Sequence, residues 1–253
     1  MTFMLKKRTG FALPAVCALA VFLPVLSAES DGEAARIELL RIVEMVEPAY
    51  PMKLTVDGVV RGAVDVIIGV DAEGRLDDHL VTMYTKRAFV NEIDAVLKKW
   101  RFEPSRVAGS PVWSRAMLSF SFEAQGVVIT RAPIDGVTML TGSMLEQANR
   151  VRVLSRQSEL DGPLVVSHSV APLYPAQLAD DGRSGTATVD FFVDGEGRVR
   201  LPVVEGEAHP WFAAAATQAI LQWRFEPPLK KGRLTVVNAR QQFVFGAGAV
   251  GTK

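Results

Sequence analysis

The chain has almost no cysteine and no apolar run long enough to be a secure membrane span. Its single cysteine, Cys17, lies within the N-terminal apolar stretch Phe11–Leu26. The rest of the chain therefore has no disulfide, no thiolate nucleophile and no cysteine-bound metal. The apolar stretch has 16 residues and two prolines, whereas a helix that crosses a bilayer needs about 20 apolar residues. The chain must therefore be held together by apolar cores rather than by disulfides.

The N-terminal residues are typical of a secretory signal. Three basic residues at positions 6–8 precede the apolar stretch, and small residues end it at Ala28. We therefore predict a signal peptide over residues 1–28 and a periplasmic location for the remainder. An uncleaved N-terminal anchor is the alternative, and only this alternative would place the protein in a membrane.

The chain has no surplus of basic residues. The sequence has 28 basic and 28 acidic residues, and without residues 1–28 it has 25 and 28. A protein that binds nucleic acid through its phosphates needs a basic face. We therefore expect no nucleic-acid partner.

The most informative feature is an internal repeat. The run Trp-Arg-Phe-Glu-Pro occurs at Trp100–Pro104 and again at Trp223–Pro227, 123 positions later. At that offset, residues 62–104 and 185–227 share 14 identities in 43 aligned positions without a gap. The chain is therefore one small fold written twice.

Each copy has the same order of sequence patterns. An extended Pro-x-Tyr-Pro segment precedes an alternating strand, a tight Asp-x-Glu-Gly hairpin, a second strand, a helix and a last alternating strand. The helical stripe of copy two is Phe212, Ala216, Ala219, Ile220 and Trp223, and copy one has the same spacing from Phe89 to Trp100. The predicted fold class is α+β, with two tandem small antiparallel β-sheets, each packed against one helix.

These patterns also predict the domain organisation. Repeat 1 is expected over residues 37–126 and repeat 2 over residues 163–248. Residues 127–162 match neither copy and are expected to form a connector.

The search for chemistry finds no catalytic, cofactor-binding or metal-binding residues. His79, His168 and His209 do not share metal-ligand spacing, and neither repeat preserves a histidine of the other. The repeated carboxylates of the two hairpins, at positions 71, 73, 194 and 196, are interpreted as water-exposed turn formers. The Trp-Arg-Phe-Glu-Pro run is interpreted as a buried helix exit, with exposed aromatic side chains that bind a partner as the alternative.

With these residues, the chain resembles the C-terminal domain of TonB, the periplasmic energy transducer of Gram-negative bacteria. The family pattern comprises Tyr-Pro, a glycine-bounded turn, Asp-x-x-Gly-x-Val, a helix, Trp-Arg-Phe/Tyr-x-Pro and a final amphipathic strand. Copy two matches it with Tyr174-Pro175, Gly185, Asp194–Val199, Trp223–Pro227 and Phe243–Phe245. Copy one matches it less closely.

The resemblance implies a non-enzymatic binding domain. In the family, the last strand pairs with the TonB box, a short extended segment of an outer-membrane transporter, by β-strand addition. Carried over to this chain, the partner-binding edges are Arg115–Phe122 and Ala239–Phe245. The candidate residues are Arg115, Met117, Ser119, Ser121, Ala239, Gln241, Gln242 and Val244.

Three functions remain open from the sequence. The first is a periplasmic protein that binds TonB-dependent transporters or other envelope proteins. The second is an envelope scaffold or self-associating protein, for which a homodimer is one form. The third is an energy transducer with an uncleaved anchor. The short apolar stretch and the absence of a proline-rich spacer disfavour the third.

Overall fold

The computed structural model describes residues 37–124, 126–131, 150–180, 182–246 and 249–252. The chain divides into two compact units, with the boundary between Val153 and Leu154. Unit 1 precedes this boundary and unit 2 follows it. The predicted signal peptide, residues 1–28, lies outside the described residues.

Unit 1 consists of short strands around one long sheet and two helices. Its described strands are β1 (Ile37–Glu38), β2 (Arg41–Glu44), β3 (Arg61–Val70), β4 (Leu76–Tyr84), β5 (Arg101–Glu103), β6 (Ser105–Val107), β7 (Ser110–Val112), β8 (Ser114–Glu123), β9 (Gly126–Arg131) and β10 (Val151–Arg152). Its described helices are α1 (Met52–Val56) and α2 (Arg87–Leu97). The main sheet is antiparallel with the order β10-β4-β3-β8-β9.

Alternation along β3 places the core of unit 1 on one face of this sheet. Val64, Val66, Ile68 and Val70 are fully buried there, because successive side chains of a strand point to opposite faces. The apolar stripe of α2 packs on the same core. Both patterns were predicted from the sequence.

Unit 2 repeats this arrangement. Its described strands are β11 (Leu154–Ser155), β12 (Val166–His168), β13 (Gly185–Val193), β14 (Val199–Glu205), β15 (Arg224–Phe225), β16 (Leu229–Lys230), β17 (Arg233–Leu234), β18 (Val236–Gly246) and β19 (Ala249–Thr252). The described helix is α3 (Pro210–Leu221), with 3-10 turns at Gln157–Glu159 and Ala176–Leu178. The main sheet has the order β11-β18-β13-β14, and β19 also pairs with β18.

The tryptophan of each Trp-Arg-Phe-Glu-Pro run links the end of a helix to an earlier segment of the same unit. The indole N–H of Trp100 donates to the carbonyl oxygen of Val46 at 2.9 Å, and that of Trp223 donates to Val170 at 2.8 Å. The two indoles are 0% and 4% exposed. The buried helix exit is therefore confirmed, and these aromatic side chains are not available to a partner.

The hairpin glycine packs directly against this run. Gly74 and Gly197 both have φ of 77°. The backbone N–H of Phe225 donates to the oxygen of Gly197 at 2.8 Å, and Phe102 makes the same contact with Gly74 at 2.9 Å. Only glycine fits, because a Cβ atom at either position would lie 2.0 Å from a phenylalanine carbonyl oxygen.

The structure differs from the sequence analysis after the expected last strand. A further strand, β9 or β19, follows it in each unit and pairs with it. Gly126–Arg131 and Val151–Arg152 therefore belong to the main sheet of unit 1, and Leu154–Ser155 belongs to that of unit 2. Residues 132–149 of the expected connector lie outside the described residues.

Candidate partner-binding edge

The long strand β18 has a complete neighbour on one side only. On its inner side it pairs with all of β13, from Gly185↔Phe245 to Val193↔Val237. On its outer side β11 covers Val236 and Val237, and β19 covers Phe243–Gly246. No strand among the described residues pairs with the outer side of Asn238–Gln242, which we call the open stretch. Its length suits one short added strand.

Two hydrogen bonds show which backbone groups of the open stretch point outward. The carbonyl oxygen of Asn238 accepts from the side-chain amide of Gln157, and that of Gln242 accepts from the side-chain amide of Gln241. Backbone directions alternate along a strand, so those of Asn238, Arg240 and Gln242 face outward. The N–H groups of Ala239 and Gln241 face β13.

The face of the sheet opposite α3 is polar beside the open stretch. Arg240 forms an ion pair with Glu205 at 2.8 Å, and its side chain remains 62% exposed. The amide of Asn238 donates to both carboxylate oxygens of Asp190, at 3.1 and 3.0 Å. Side chains of an added strand on this face would meet a shallow groove lined by Thr188, Glu205, Gly206, Arg240 and Gln242.

Comparisons with known proteins identify this unit. Residues 170–246 match the model of the Gram-negative bacterial TonB protein C-terminal family. Protein TonB of Pseudomonas aeruginosa is 31% identical over 84 residues, which are 33% of this chain and 24% of that protein. Through these residues the chain belongs to the TonB C-terminal domain family.

A solved structure is also similar. The solution NMR structure of the Pseudomonas aeruginosa TonB C-terminal domain is 33% identical, with a TM-score of 0.30, and the similarity covers 34% of this chain and 87% of that structure. The chain spans only about a quarter of the length of the TonB protein that it matches, 24%.

Within this TonB C-terminal domain, the site residues predicted on β18 fall into two groups, those in the open stretch and those already paired with β19. Ala239, Gln241 and Gln242 lie in the open stretch, whereas Val244 is paired with Gly251 of β19. Ala239 is buried in the core of unit 2 and Gln242 is exposed on the opposite face. The sequence did not predict that Gln157 lies at this edge, because Gln157 is 81 residues away from Asn238 in the chain.

In unit 1, a neighbouring strand covers most of the corresponding edge. Strand β9 pairs with Leu118–Glu123 of β8, so Ser119 and Ser121 lie opposite Thr130 and Val128. Only Ser114–Met117 lacks an outer strand among the described residues. Arg115 is buried there, and Met117 is partly buried. The expected free edge over Arg115–Phe122 is thus reduced to its first residues.

The opposite edge of unit 2, strand β14, is poorly suited to strand addition. Pro202 removes one backbone donor from β14, and Leu201 has a φ of 50°. Proline and irregular backbone both interrupt the ladder that an added strand requires. Among the described residues of unit 2, β18 is therefore the edge of the main sheet with the more regular backbone.

The hairpin of unit 2 contains an electrostatic cluster around Asp194. Burial alone would raise the pKa of Asp194. Hydrogen bonds from the backbone and side chain of Arg198, the backbone of Glu196 and the side chain of Arg200 outweigh burial and hold that pKa below its usual value. Asp194 was expected to be exposed, but its side chain is only 7% exposed. Its oxygens accept the turn's N–H groups, so its role as a turn former is confirmed.

The histidines take part in local contacts. His79 lies 2.9 Å from Asp94, and His209 caps α3 by accepting from the N–H of Trp211. His168 is exposed in β12. Within the described ranges, no three histidine, cysteine, aspartate or glutamate side chains are grouped so that they could hold a metal ion.

Proposed function

We propose that unit 2 binds an extended segment of another cell-envelope protein by β-strand addition to β18. The observation that carries this proposal is the open stretch, Asn238–Gln242, between two short strands that occupy the same edge. Unpaired backbone groups at a sheet edge provide affinity for an added strand, and alternate side chains provide selectivity. Membership of the TonB C-terminal family supports a protein partner of this kind.

The partner we propose is the TonB box of an outer-membrane TonB-dependent transporter, met in the periplasm. Proteins of this family act in the cell envelope. No helix within the described part of the chain is long and apolar enough to span a bilayer. The role that we propose is binding, because the family that the chain matches is that of the TonB C-terminal domain.

The decisive experiment uses proline at two adjacent positions. Gln242→Pro removes an outward N–H from the open stretch, whereas Gln241→Pro removes an N–H that faces β13. We expect Gln242→Pro to abolish binding of a TonB-box peptide to the full chain while far-UV circular dichroism stays unchanged. Gln242→Ala retains the backbone donor and should bind almost as the wild type does.

The variant Gln241→Pro serves as the opposite control, since it should damage the sheet itself. Unchanged peptide affinity of a well-folded Gln242→Pro variant would rule out strand addition at this edge. Ser119→Pro, at the corresponding position of unit 1, does not serve as a matching test. Because Ser119 faces β9, that substitution would break an existing strand pair instead.

The self-associating alternative is disfavoured by Arg240. Two copies of β18 that pair around a two-fold axis at the centre of the open stretch would place the two Arg240 side chains opposite each other. Like charges directly opposite on paired strands are destabilising, and charged side chains protect sheet edges. Sedimentation equilibrium should therefore show a monomer for the wild type and more self-association for Arg240→Thr.

A further inference from the structure

Both ends of the open stretch already carry hydrogen bonds that imitate a neighbouring strand. Gln157 Nε2 donates to the oxygen of Asn238 at 3.0 Å, and Gln241 Nε2 donates to the oxygen of Gln242 at 2.7 Å. Each side-chain amide provides the N–H that the backbone of an added strand would otherwise provide. Arg240 lies midway between these two carbonyl groups.

Gln157 is held beside the strand by a segment that is fastened to the rest of unit 2. This segment, the strap (Leu154–Asp161), begins with β11 on the edge of β18. Glu159 of the strap pairs with Lys230 at 3.0 Å. The carboxylate of Asp161 accepts from two backbone N–H groups in the turn between β16 and β17. The position of Gln157 is therefore built into the fold.

The second glutamine distinguishes the two units. Gln241 corresponds to Leu118 at the repeat offset of 123 residues. Leu118 is buried, and its neighbour Ser119 is paired with β9. Unit 1 therefore covers this part of the edge with a strand and has a core side chain at this position. At this position unit 2 has the side-chain amide of Gln241, which donates to the outward carbonyl oxygen of Gln242.

We propose that Gln157 and Gln241 are placeholders for the backbone of the partner, and that they define the register of the added strand. This inference rests on the proposed function. The outward groups of Asn238, Arg240 and Gln242 span four residue steps, or about 13 Å of strand. The partner is then an extended segment of at least five residues. Its first, third and fifth residues turn their backbone toward β18.

This register has a consequence for the composition of the partner. The three inward-facing residues cannot be proline, because each must donate or accept in the ladder. The second and fourth residues face away from β18, so proline is tolerated there. Binding transfers the two carbonyl groups from the glutamine amides to the N–H groups of the partner.

The test measures binding of a fluorescein-labelled nine-residue TonB-box peptide to the full chain by anisotropy. If the glutamines compete with the partner, Gln157→Ala and Gln241→Ala should each bind about two- to five-fold more tightly, and the double variant about ten-fold more tightly. Gln222→Ala is the matched control. The amide of Gln222 also donates to a backbone oxygen, that of Gln218, but on α3, so its removal should leave the affinity unchanged.

Unchanged or weaker binding by both glutamine variants would overturn the placeholder role. A proline scan of the peptide tests the register separately, and tolerance should alternate with a period of two over five central positions. A scan without this period would overturn the register. If the wild type does not bind the peptide, or if a well-folded Gln242→Pro variant binds it with unchanged affinity, the proposed function is overturned and this inference with it.

Discussion

The indole of Trp223 donates its N–H to the carbonyl oxygen of Val170 at 2.8 Å, across 53 residues of sequence. This bond ties the end of α3 to the extended segment that opens unit 2. The ring also contacts Phe225 and Phe243, with centroid separations of 6.2 and 5.8 Å. One side chain therefore joins three parts of the TonB C-terminal domain.

Removal of this side chain should destabilise unit 2 strongly. Trp223→Ala leaves a large cavity and an unpaired carbonyl group, and we expect a loss of about 3–5 kcal/mol in the free energy of unfolding. Trp223→Phe keeps most of the ring and loses only the N–H, so it should cost about 1–2 kcal/mol. Urea unfolding of the full chain measures both values. Equal costs would show that the hydrogen bond, and not packing, dominates.

The hairpin glycine should tolerate no side chain. Gly197→Ala places a Cβ atom 2.0 Å from the oxygen of Phe225 at a φ of 77°, and we expect a loss of at least about 3 kcal/mol. Gly206→Ala is the control, since Gly206 has a φ of 69° but nothing within 4 Å of its added Cβ. That variant should lose only about 1 kcal/mol from backbone strain. Similar losses in both variants would show that the close approach at Gly197 relaxes at little cost.

Asp194 should make unit 2 sensitive to acid. Its pKa is lower in the folded state than its usual value of about 3.9. Ionised Asp194 therefore stabilises the fold above about pH 4, and this contribution is lost as the pH falls through the folded-state pKa. Asp194→Asn should cost about 1–3 kcal/mol at pH 7, and the difference from the wild type should shrink towards pH 3 and below.

The corresponding residue of unit 1 provides a comparison for this pH effect. Asp71 also accepts from its turn's N–H groups, but its side chain is 24% exposed. Asp71→Asn should therefore have the smaller effect. Urea unfolding of both variants at pH 7 and pH 3 makes the comparison. A difference for Asp194→Asn that is independent of pH would contradict the assignment.

Strand β19 should compete with a long partner. It pairs with Phe243–Gly246, next to the open stretch. A nine-residue peptide that pairs along its full length must displace β19, whereas a five-residue peptide fits beside it. If detachment costs about 1–2 kcal/mol, a chain that stops at Gly246 should bind the nine-residue peptide about five- to thirty-fold more tightly. The five-residue peptide should bind both chains equally, and an equal gain for both peptides would contradict competition by β19.

Local patterns made much of the fold predictable. The stripe from Phe212 to Trp223 repeats every helical turn, and the Asp-x-Glu-Gly hairpin requires a glycine with positive φ. Both signals lie within a dozen residues, so the sequence alone was sufficient to place α3 and the turn between β13 and β14. The burial of both tryptophans followed from the same stripe.

The occupancy of the sheet edges was not predictable in this way. The apolar residues Val127–Ile129 do not by themselves predict β9, because a strand of six residues cannot be distinguished from a linker until its partner strand is known. The contact between Gln157 and Asn238 joins positions 81 residues apart, and no local pattern indicates it. The change from Leu118 to Gln241 between otherwise similar strands is a local signal that the two edges differ.

Pro202 on β14 also limits how far the sheet of unit 2 can grow. A sheet that accepts strands on both edges can act as a link, so that each added molecule offers a new edge to the next one. With β14 interrupted, β18 is the edge from which we expect the described part of this sheet to be extended. If a partner strand docks there as we propose, it completes the sheet, and we expect assembly to stop at a single bound segment instead of propagating into a fibre.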